Sequence, residues 1–505
     1  MSFALTVLAL ASKPIGYLRT LIIAWAFGTS AGMDAFHLAT GIIGLFTGSV
    51  ANALENAVLP ELIRIRERAG GAGDVCRATS AFISCFVIAL SMLFTAALII
   101  APGILIRFFA GGFDAERIST GARMLWWLIP FALVTMYAPM LGIWANVTER
   151  YTLGQLTGMP YNFIAIPAIL ISMRHIAVYS VAFSMSVGSA VTFAIFLVCM
   201  RGFPIVWRAR DVAWDSIKRI CENSAYLIVV FAAGTLYTIV DRYFASKLPV
   251  GSVAAISYAA VFIGILTALA NTPMTYFLSM ITKSAVTNRM ESLETIKSAI
   301  TLALAYFIPI SAFLAVASNP IISLVLGWGS FDSRSVAMTS LCLATYSAGF
   351  AFAVASSLMY RYAMALGKLK AIMVTTYALV ALNAVLDYAF VFRWGLFGLA
   401  AATSLTQAAG FVIYYVVIID TSLIRFLTAA KFFHHLVIAS VFAYVASFAS
   451  GFGSAALLFV SAAFLILYLF AAERFGLMEQ LPPGWRPSQF LKFVMRAAKS
   501  YANAD

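Results

Sequence analysis

The stretch ALASKPIGYLRTLIIAWAFG, residues 9–28, is long and apolar enough to cross a bilayer, yet it carries two cations. Each of them, Lys13 and Arg19, would cost roughly 2.5–3.5 kcal/mol at the centre of a membrane. A transmembrane helix that keeps such residues turns them towards a partner, a water-filled cavity or a substrate. The stretch therefore predicts a membrane-spanning helix, and its two cations indicate an anionic cargo.

The whole chain shares this apolar character. Of its 505 residues, 63% are hydrophobic and only 10% are charged, and its mean hydropathy of +0.95 lies far beyond that of a soluble domain. We therefore predict an all-α polytopic membrane protein with about fourteen transmembrane helices. The predicted spans are 5–28, 34–60, 77–101, 121–146, 152–173, 176–200, 222–245, 252–282, 297–319, 336–364, 370–392, 395–419, 431–450 and 453–472.

Basic residues predict how these spans are oriented. The formal net charge is +13, and most Lys and Arg residues fall in every second loop and after the last span. The positive-inside rule then places both termini in the cytoplasm. The first apolar run has no basic segment ahead of it and passes any cleavage site, so we expect it to stay in the mature protein. The positive charge is thus a signal of topology, and no nucleic-acid partner is predicted.

Internal repetition predicts two halves. An offset of 219 residues superimposes the order of spans and loops, and it pairs Gly32 with Gly251, Ala35 with Ala254, Asn52 with Asn271 and Arg64 with Lys283. This offset corresponds to six spans, so the repeats would run parallel. The predicted regions are an N-terminal six-helix bundle (1–200), a cytoplasmic interfacial linker (201–221), a C-terminal six-helix bundle (222–419), two extra transmembrane helices (420–472) and a cytoplasmic tail (473–505).

Few charged residues remain inside the predicted spans. Lys13 either faces a cavity or snorkels to the inner interface. Arg19 lies deeper in the span, where it either faces a cavity or forms a buried ion pair. Asp241 and Arg242 are adjacent on one predicted helix, so they point about 100° apart and contact different neighbours. They serve either structural ion pairing or transport.

Uncharged and acidic polar residues add to this set. Asp34 begins the second predicted span, where it can cap a helix at the membrane surface. Glu55 and Asn52 place polar groups within the same span, and Asn271 is the repeat partner of Asn52. We interpret Asn52 and Asn271 as polar residues of a cavity.

Nothing in the sequence predicts catalysis or a cofactor. No GxxxxGK[ST] loop occurs, so ATP hydrolysis by this chain is not expected. The five cysteines form no CxxC pair, and no metal site is predicted. A membrane enzyme would need a catalytic outer loop, but the longest outer loops, 102–120 and 320–335, hold few carboxylates.

Five segments of the sequence resemble, in order, one family of transporters. They are SKPIGYLRTLIIAWAFGTSAGMDAFHLA (12–39), APGILIRFFAGGFD (101–114), WWLIPFALVTMYAPMLGIWANVTERYTLGQLTGMPYN (126–162), VDRYFASKLPVGSVAAISYA (240–259) and GLFGLAAATSLTQ (395–407). Their order and spacing resemble the MurJ/MviN family of the MATE-like MOP transporter superfamily. The resemblance implies two six-helix bundles around a central cavity, with two extra helices beside a groove for a lipid tail. It also implies a flippase for undecaprenyl-linked saccharides, of which the peptidoglycan precursor lipid II is the best-known cargo.

The resemblance implies roles for the charged residues. Cations in the family's cavity bind the pyrophosphate, and the candidates here are Lys13, Arg19 and Arg242, with Lys13 replacing an arginine of the family. The family has an acidic residue in the same DAF motif, which implies a role in gating or ion pairing for Asp34. We assign Asp241 and Glu55 to the same class of residues.

The sequence departs from the family at other cation positions. Phe46 and Thr47 stand where the family has arginines in its second helix. Val261 and Gly264 stand near the positions of an arginine and a glutamate in the eighth helix. The resemblance therefore implies an anion site with fewer cations than usual.

We predict a transporter, not an enzyme, that flips a polyprenyl-pyrophosphate-linked saccharide of the lipid II type across a bacterial inner membrane. It would act by alternating access, as a monomer in the phospholipid bilayer, with coupling to the membrane potential, H⁺ or Na⁺ and without a cofactor. One alternative is a flippase for an exopolysaccharide or O-antigen repeat unit. Another is a cation-coupled MATE-like exporter, and a polyprenyl-linked membrane glycosyltransferase is the least favoured.

Overall fold

The structure, a computed structural model, is α-helical and has no strand among the residues that it describes, which confirms the predicted fold class. The backbone is described for residues 2–68, 73–150, 159–199, 208–287, 289–420, 422–429, 432–449 and 453–474. Within these ranges, side chains are described except at 2–13, 159–160, 272–273, 275–287, 289, 429, 447 and 449. The predicted tail beyond residue 474 lies outside the described residues.

The described helices are numbered here in chain order. They are α1 Ser2–Phe27, α2 Ala31–Arg68, α3 Asp74–Ile100, α4 Pro102–Phe109, α5 Ala115–Trp127, α6 Ile129–Val147, α7 Met159–Ile176, α8 Tyr179–Cys199, α9 Trp214–Ala245, α10 Ser252–Thr287, α11 Arg289–Leu326, α12 Ser333–Ala365, α13 Leu369–Tyr414, α14 Leu423–Ala429, α15 Phe432–Ala449 and α16 Ser454–Arg474. A 3₁₀ turn, Ala209–Asp211, precedes α9, and a π-helical turn, Tyr415–Ile419, follows α13.

These helices make the chain a multi-pass membrane protein. Among the described residues, ten helices are long and apolar enough to span a bilayer, and α1, α7 and α15 add apolar stretches at Pro14–Phe27, Tyr161–Ile176 and Phe432–Ala446. One of the ten, Leu369–Ile419, has 51 residues and covers two of the predicted spans. It is interrupted at Gly395, whose φ of 55° a residue with a side chain rarely adopts. The predicted boundary between two spans thus coincides with this glycine.

One predicted span is wrong in its continuity. The stretch 121–146 divides into α5 and α6 at Leu128, and Pro130 lies in the first turn of α6. Proline has no N–H to continue the earlier helix but fits the first turn of a new one. The predicted linker also differs from the structure, because Trp214 already begins α9. Its indole N–H donates to the Ala209 carbonyl, 3.0 Å away.

Contacts group the chain into two compact units. The first comprises Met1–Ala254 and Trp328–Asp332. Within it, α2 is the central helix and packs against α5, α6 and α9. Ala53 and Ala57, one turn apart on α2, pack against Leu227 of α9, since small side chains let membrane helices approach closely.

The second unit comprises Ala255–Gly327 and Ser333–Asp505. In it α12 packs between α11 and α13, and both α15 and α16 pack on α11. Phe442 of α15 stacks on Phe464 of α16 with ring centroids 3.7 Å apart. The predicted limits of the six-helix bundles stay a prediction.

A polar contact also ties the last two helices of the second unit to α11. The buried His435 of α15 contacts the hydroxyl of Tyr468 on α16 through Nδ1. That hydroxyl donates to the carbonyl of Ala305 on α11 at 3.3 Å. Because unmet polar groups are costly in an apolar interior, this chain of hydrogen bonds favours one packing of the three helices.

Candidate substrate-binding site

Arg19 lies half-buried on α1, inside an apolar helix. Its Nη1 donates to the hydroxyl of Tyr161 on α7. The guanidinium carbon lies 4.9 Å from the centroid of the Tyr161 ring, a cation–π contact. Tyr161 therefore partly offsets the desolvation of Arg19 without neutralising its charge, so the cation remains able to attract an anion.

A second polar group lies beside this pair. Asn162, next to Tyr161, approaches α1 so closely that a Cβ on Gly16 would lie 3.5 Å from its Nδ2. The buried Nε of Arg19 and the buried Oδ1 of Asn162 have no hydrogen-bond partner among the described residues. Guanidinium and amide groups together can bind a phosphate oxygen. The backbone of Lys13 is part of α1, but its side chain is not among those that the structure describes.

Arg242 of α9 lies against α2. A Cβ added at Gly41 would overlap the Arg242 guanidinium, so glycine at this position provides the space that the cation occupies. His37, half-buried one turn before Gly41, interacts electrostatically with Arg242. Asp241 is buried on a different side of α9, as its position 100° away predicts.

Asp34 caps the start of α10. Its carboxylate accepts hydrogen bonds from the backbone N–H groups of Gly251, at 2.7 Å, and Ala254, at 2.8 Å. The φ of Gly251 is +94°, and a Cβ there would lie 2.6 Å from the Thr29 carbonyl oxygen. A side chain at position 251 would therefore break the cap. The predicted role of Asp34 in gating stays a prediction, whereas its capping of a helix other than its own is a feature of the structure.

Arg117 of α5 lies beside the Asp34 cap and was not predicted from the sequence as a residue of the site. Its Nη1 lies 3.9 Å from Oδ2 of Asp34, and its side chain is only 10% exposed. The neighbouring Asp114 accepts the backbone N–H of Arg117 at 2.8 Å and caps α5. That hydrogen bond holds the pKa of the Asp114 carboxyl below its usual range. The only sequence signal for Arg117 was its spacing of three residues from Asp114.

The exposed side of α2 is polar and open. Asn52 and Glu55 are both exposed, although they lie within a candidate membrane span. One and two turns before Asn52, Gly48 and Gly44 have free space where a Cβ would be. Exposed polar groups at membrane depth face water or protein in preference to lipid. This side of α2 therefore has the character of a cavity wall.

Positions that depart from the family also lie on these helices. Phe46 of α2 is 40% exposed, and the hydroxyl of Thr47 bonds to its own helix at the Ile43 carbonyl, 3.0 Å away. On α10, Gly264 is exposed, with open space at its Cβ position.

In the second unit, Asn271 accepts a hydrogen bond from Nη2 of Arg361 on α12, at 2.9 Å. Arg361 falls near the end of the predicted span 336–364 and was given no role in the site from the sequence, but in the structure it lies within α12 and is half-buried. Its charge did not distinguish it from the loop cations nearby. Arg361 is thus an additional cation beside a predicted polar position.

A buried amide and carboxylate pair lies deeper in α13. The side-chain amide of Asn383 donates to Oδ2 of Asp387 at 2.8 Å, and the Thr406 hydroxyl donates to Oδ1 of Asn383 at 3.2 Å. Both Asn383 and Asp387 are fully buried. Elsewhere in the described part of the chain, no cluster of three or more His, Cys, Asp or Glu residues could hold a metal ion.

With this geometry in view, comparison with known proteins identifies the family. The model of the family described as lipid II flippase MurJ matches residues 23–469. The chain belongs to the MurJ family. Lys13 and Arg19 lie just before the matched range, so membership by itself assigns them no role. The family comprises flippases, which are transporters, so the prediction of a transporter in place of an enzyme is confirmed.

Individual relatives agree with MurJ membership. The chain is 25% identical over 406 residues to a probable lipid II flippase MurJ of Thermotoga maritima, covering 79% of this chain and 81% of the relative. A solved structure of lipid II flippase MurJ in an inward closed conformation matches with a TM-score of 0.74 and 18% identity, over 94% of this chain and 99% of that one. An inward-facing multidrug resistance MATE transporter of the MOP superfamily matches with a TM-score of 0.68 and 15% identity, over 84% and 98%. At these identities the two structures establish the fold.

Proposed function

We propose that this protein flips a polyprenyl-pyrophosphate-linked saccharide of the lipid II type across a bacterial inner membrane by alternating access. The observation that carries the proposal is the contact between Arg19 and Tyr161. A cation is retained at membrane depth, held by a neutral partner, and keeps a buried N–H without an acceptor among the described residues. Keeping such a cation within the membrane costs free energy, and binding of an anion offsets this cost.

The pyrophosphate of the cargo is the natural ligand of these cations. Arg19 offers a planar fork of donors that matches phosphate oxygens, and Asn162 adds an amide from α7. Arg242, held at Gly41, supplies a second guanidinium on α9. Lys13, six residues before Arg19 on α1, would add a mobile point charge. Asp34 accepts hydrogen bonds from the start of α10. Its role in gating is to hold this end of α10 in place for as long as these hydrogen bonds are intact.

The open side of α2 would provide a route for the hydrophilic head group. Asn52 and Glu55 offer hydrogen bonds to saccharide hydroxyls, while Gly44 and Gly48 leave the wall unobstructed. The polyprenyl tail needs no polar route, because it can stay in the lipid throughout.

The orientation follows from the positive-inside rule, with both termini in the cytoplasm. An inward-facing site would then load the cargo from the leaflet where it is made. The membrane potential can drive the return step, because moving one charge through 100 mV supplies about 2.3 kcal/mol. We expect the monomer to suffice, and we expect no nucleic acid to bind.

The alternatives fit the contacts less well. A cation-coupled exporter needs free carboxylates, but the Asp34 carboxylate already accepts two backbone N–H groups and faces Arg117. A flippase for an exopolysaccharide or O-antigen unit would use the same cations, because its cargo carries the same pyrophosphate. The saccharide therefore has to be decided by transport measurements.

The test is flipping in proteoliposomes, with fluorescent lipid II beside a polyprenyl-pyrophosphate carrying a single sugar. Transport of lipid II but not of the simpler lipid supports lipid II specificity, and equal transport contradicts it. Arg19→Gln should abolish flipping of either lipid, whereas Arg107→Gln, an exposed cation on the short helix α4, should not. Full activity of Arg19→Gln would overturn the role of Arg19, and no flipping by the wild type would overturn the proposed function.

A further inference from the structure

A separate cleft opens in the first unit between α3, α6 and α8. Its volume is about 350 Å³. Its walls include Ile88 and Met92 of α3, Leu133 of α6, and Phe193 and Leu197 of α8. It shares no lining residue with α1, α2 or α9, which carry the candidate substrate site. The cleft is therefore independent of the proposed transport function.

The three hydroxyl groups in the walls of this cleft already have hydrogen-bond partners, and that of Tyr137 bonds to Ser84. The Ser84 hydroxyl donates to the Ser80 carbonyl at 2.8 Å, and the Ser91 hydroxyl donates to the Val87 carbonyl at 2.7 Å. Both bonds stay within α3, so neither hydroxyl is a free donor for a polar ligand. The cleft thus favours an apolar occupant over water.

The position of the cleft along its helices indicates the medium at its mouth. All three helices are candidate membrane spans, and the α3 residues of the wall, from Ala81 to Met92, lie well inside Asp74–Ile100. Met92 is 64% exposed at the rim. At this depth the surrounding solvent is lipid hydrocarbon. The volume holds about a dozen groups of methylene or water size, at roughly 30 Å³ each, which suits a single acyl chain.

A cation lies on the same side of α3, at the Asp74 end. Arg77 precedes Ala81, Ser84 and Ile88 by four, seven and eleven residues, so each of these three side chains lies within about 40° of Arg77 around the helix. Arg77 is exposed and has no ion pair among the described residues. It lies about 6 Å along the axis from Ala81, which is where a lipid phosphate would be if an acyl chain filled the cleft.

We infer that this cleft binds one acyl chain of an anionic phospholipid from the leaflet at the Asp74 end of α3, with the lipid phosphate on Arg77. The apolar walls select a hydrocarbon chain, and the unpaired guanidinium selects an anionic head group over a zwitterionic one. The bound lipid packs between α3 and its neighbours and stabilises the folded protein by mass action.

The test uses the full-length protein in nanodiscs that contain a trace of phospholipid with a photoactivatable diazirine near the middle of one acyl chain. The probe carries either a phosphatidylglycerol or a phosphatidylcholine head group, and crosslinked peptides are identified by mass spectrometry. We expect crosslinks on residues 81–92 to be several-fold more frequent with phosphatidylglycerol. Arg77→Gln should lower this preference roughly fivefold, whereas Arg68→Gln, an exposed cation at the end of α2, should leave it unchanged.

A variant that fills the cleft provides a second arm. Cys85→Trp occupies the mouth from an exposed position, so it need not disturb the core. It should remove the crosslinks, whereas Ala89→Trp, exposed on the same helix but outside the lining, should keep them. Added phosphatidylglycerol should also raise the melting temperature of the wild type more than that of Arg77→Gln. Equal crosslinking of both head groups, or crosslinks that survive in Cys85→Trp, would overturn the assignment.

Discussion

Arg242 occupies the space that a side chain at position 41 would need. The two residues lie on α9 and α2, and the guanidinium fills the volume beside the glycine. This contact brings a cation of the candidate site against the central helix of the first unit. Its position therefore depends on a residue whose only feature is the absence of a side chain.

Gly41→Ala should displace the Arg242 guanidinium and impair flipping. Overpacking costs about 1–3 kcal/mol, so transport should fall roughly tenfold if this energy is expressed in substrate binding. Gly103→Ala on α4 is the matched control, because open space surrounds its Cβ position and α4 carries none of the proposed site residues. Flipping of fluorescent lipid II in proteoliposomes measures both. Equal transport by the two variants would show that the Arg242 position is unimportant.

Asp34→Ala should destabilise the fold. It leaves two backbone N–H groups of the α10 start and the buried Arg117 without the carboxylate, at an expected cost of about 2–4 kcal/mol. Asp114→Ala removes an exposed cap and should cost about 1 kcal/mol. Thermal unfolding in detergent, followed by tryptophan fluorescence, compares them. A smaller effect at Asp34 than at Asp114 would contradict the capping role.

Tyr161→Phe should weaken transport without abolishing it. The variant loses the hydrogen bond to Arg19 but keeps the ring beneath the guanidinium. A hydrogen bond to a charged group contributes about 1.5–3 kcal/mol, part of which positions Arg19 for the phosphate. Tyr17→Phe, two residues before Arg19 on α1, serves as the control and should flip normally. If Tyr161→Phe flips at the wild-type rate, the Tyr161 hydroxyl does not contribute to substrate binding.

The ion pair between Lys297 and Asp420 should make the free energy of unfolding depend on pH. Partial burial alone would raise the pKa of the Asp420 carboxyl, but the Lys297 ammonium at 2.6 Å and hydrogen bonds from Ser422 outweigh burial and hold the pKa at about 2. The folded carboxyl thus has a lower pKa than the unfolded one, near 3.8. The stabilisation is present above about pH 4 and disappears as the pH falls towards 2.

Asp420→Asn tests this expectation. Its melting temperature should lie below that of the wild type by a constant amount from pH 7 to pH 5, and the gap should close as the pH falls below 4. Lys297→Gln should behave in the same way, because it removes the other partner. A gap that persists unchanged to pH 2.5 would mean that the pair does not stabilise the fold.

Much of the fold could be predicted because hydropathy is a local property. The cost of burying Arg19 marked it as a candidate site residue before any contact was known, and the spans followed from apolar runs of sufficient length. The main error, at Leu128, arose because Pro130 within an apolar run can either kink one helix or begin another. Hydropathy is the same in both cases.

The partners of the site residues were not predictable in this way. Tyr161 lies 142 residues from Arg19 and carries no charge to mark it within an apolar helix. Asp34 was expected to cap a helix, yet the helix that it caps begins more than 200 residues later. Arg361 was indistinguishable from loop cations until its contact with Asn271 was seen.

The sequence by itself determined that this chain is a bundle of membrane-spanning helices, where most of those helices lie along the chain, and that a few cations lie within them. The tertiary structure decided that Arg19 meets Tyr161, that Gly41 makes room for Arg242, and that Asp34 caps α10. The physical reason is that helix formation in a membrane follows from the local need to bury apolar groups and pair every backbone hydrogen bond. Which side chains meet depends instead on how helices distant in sequence pack together.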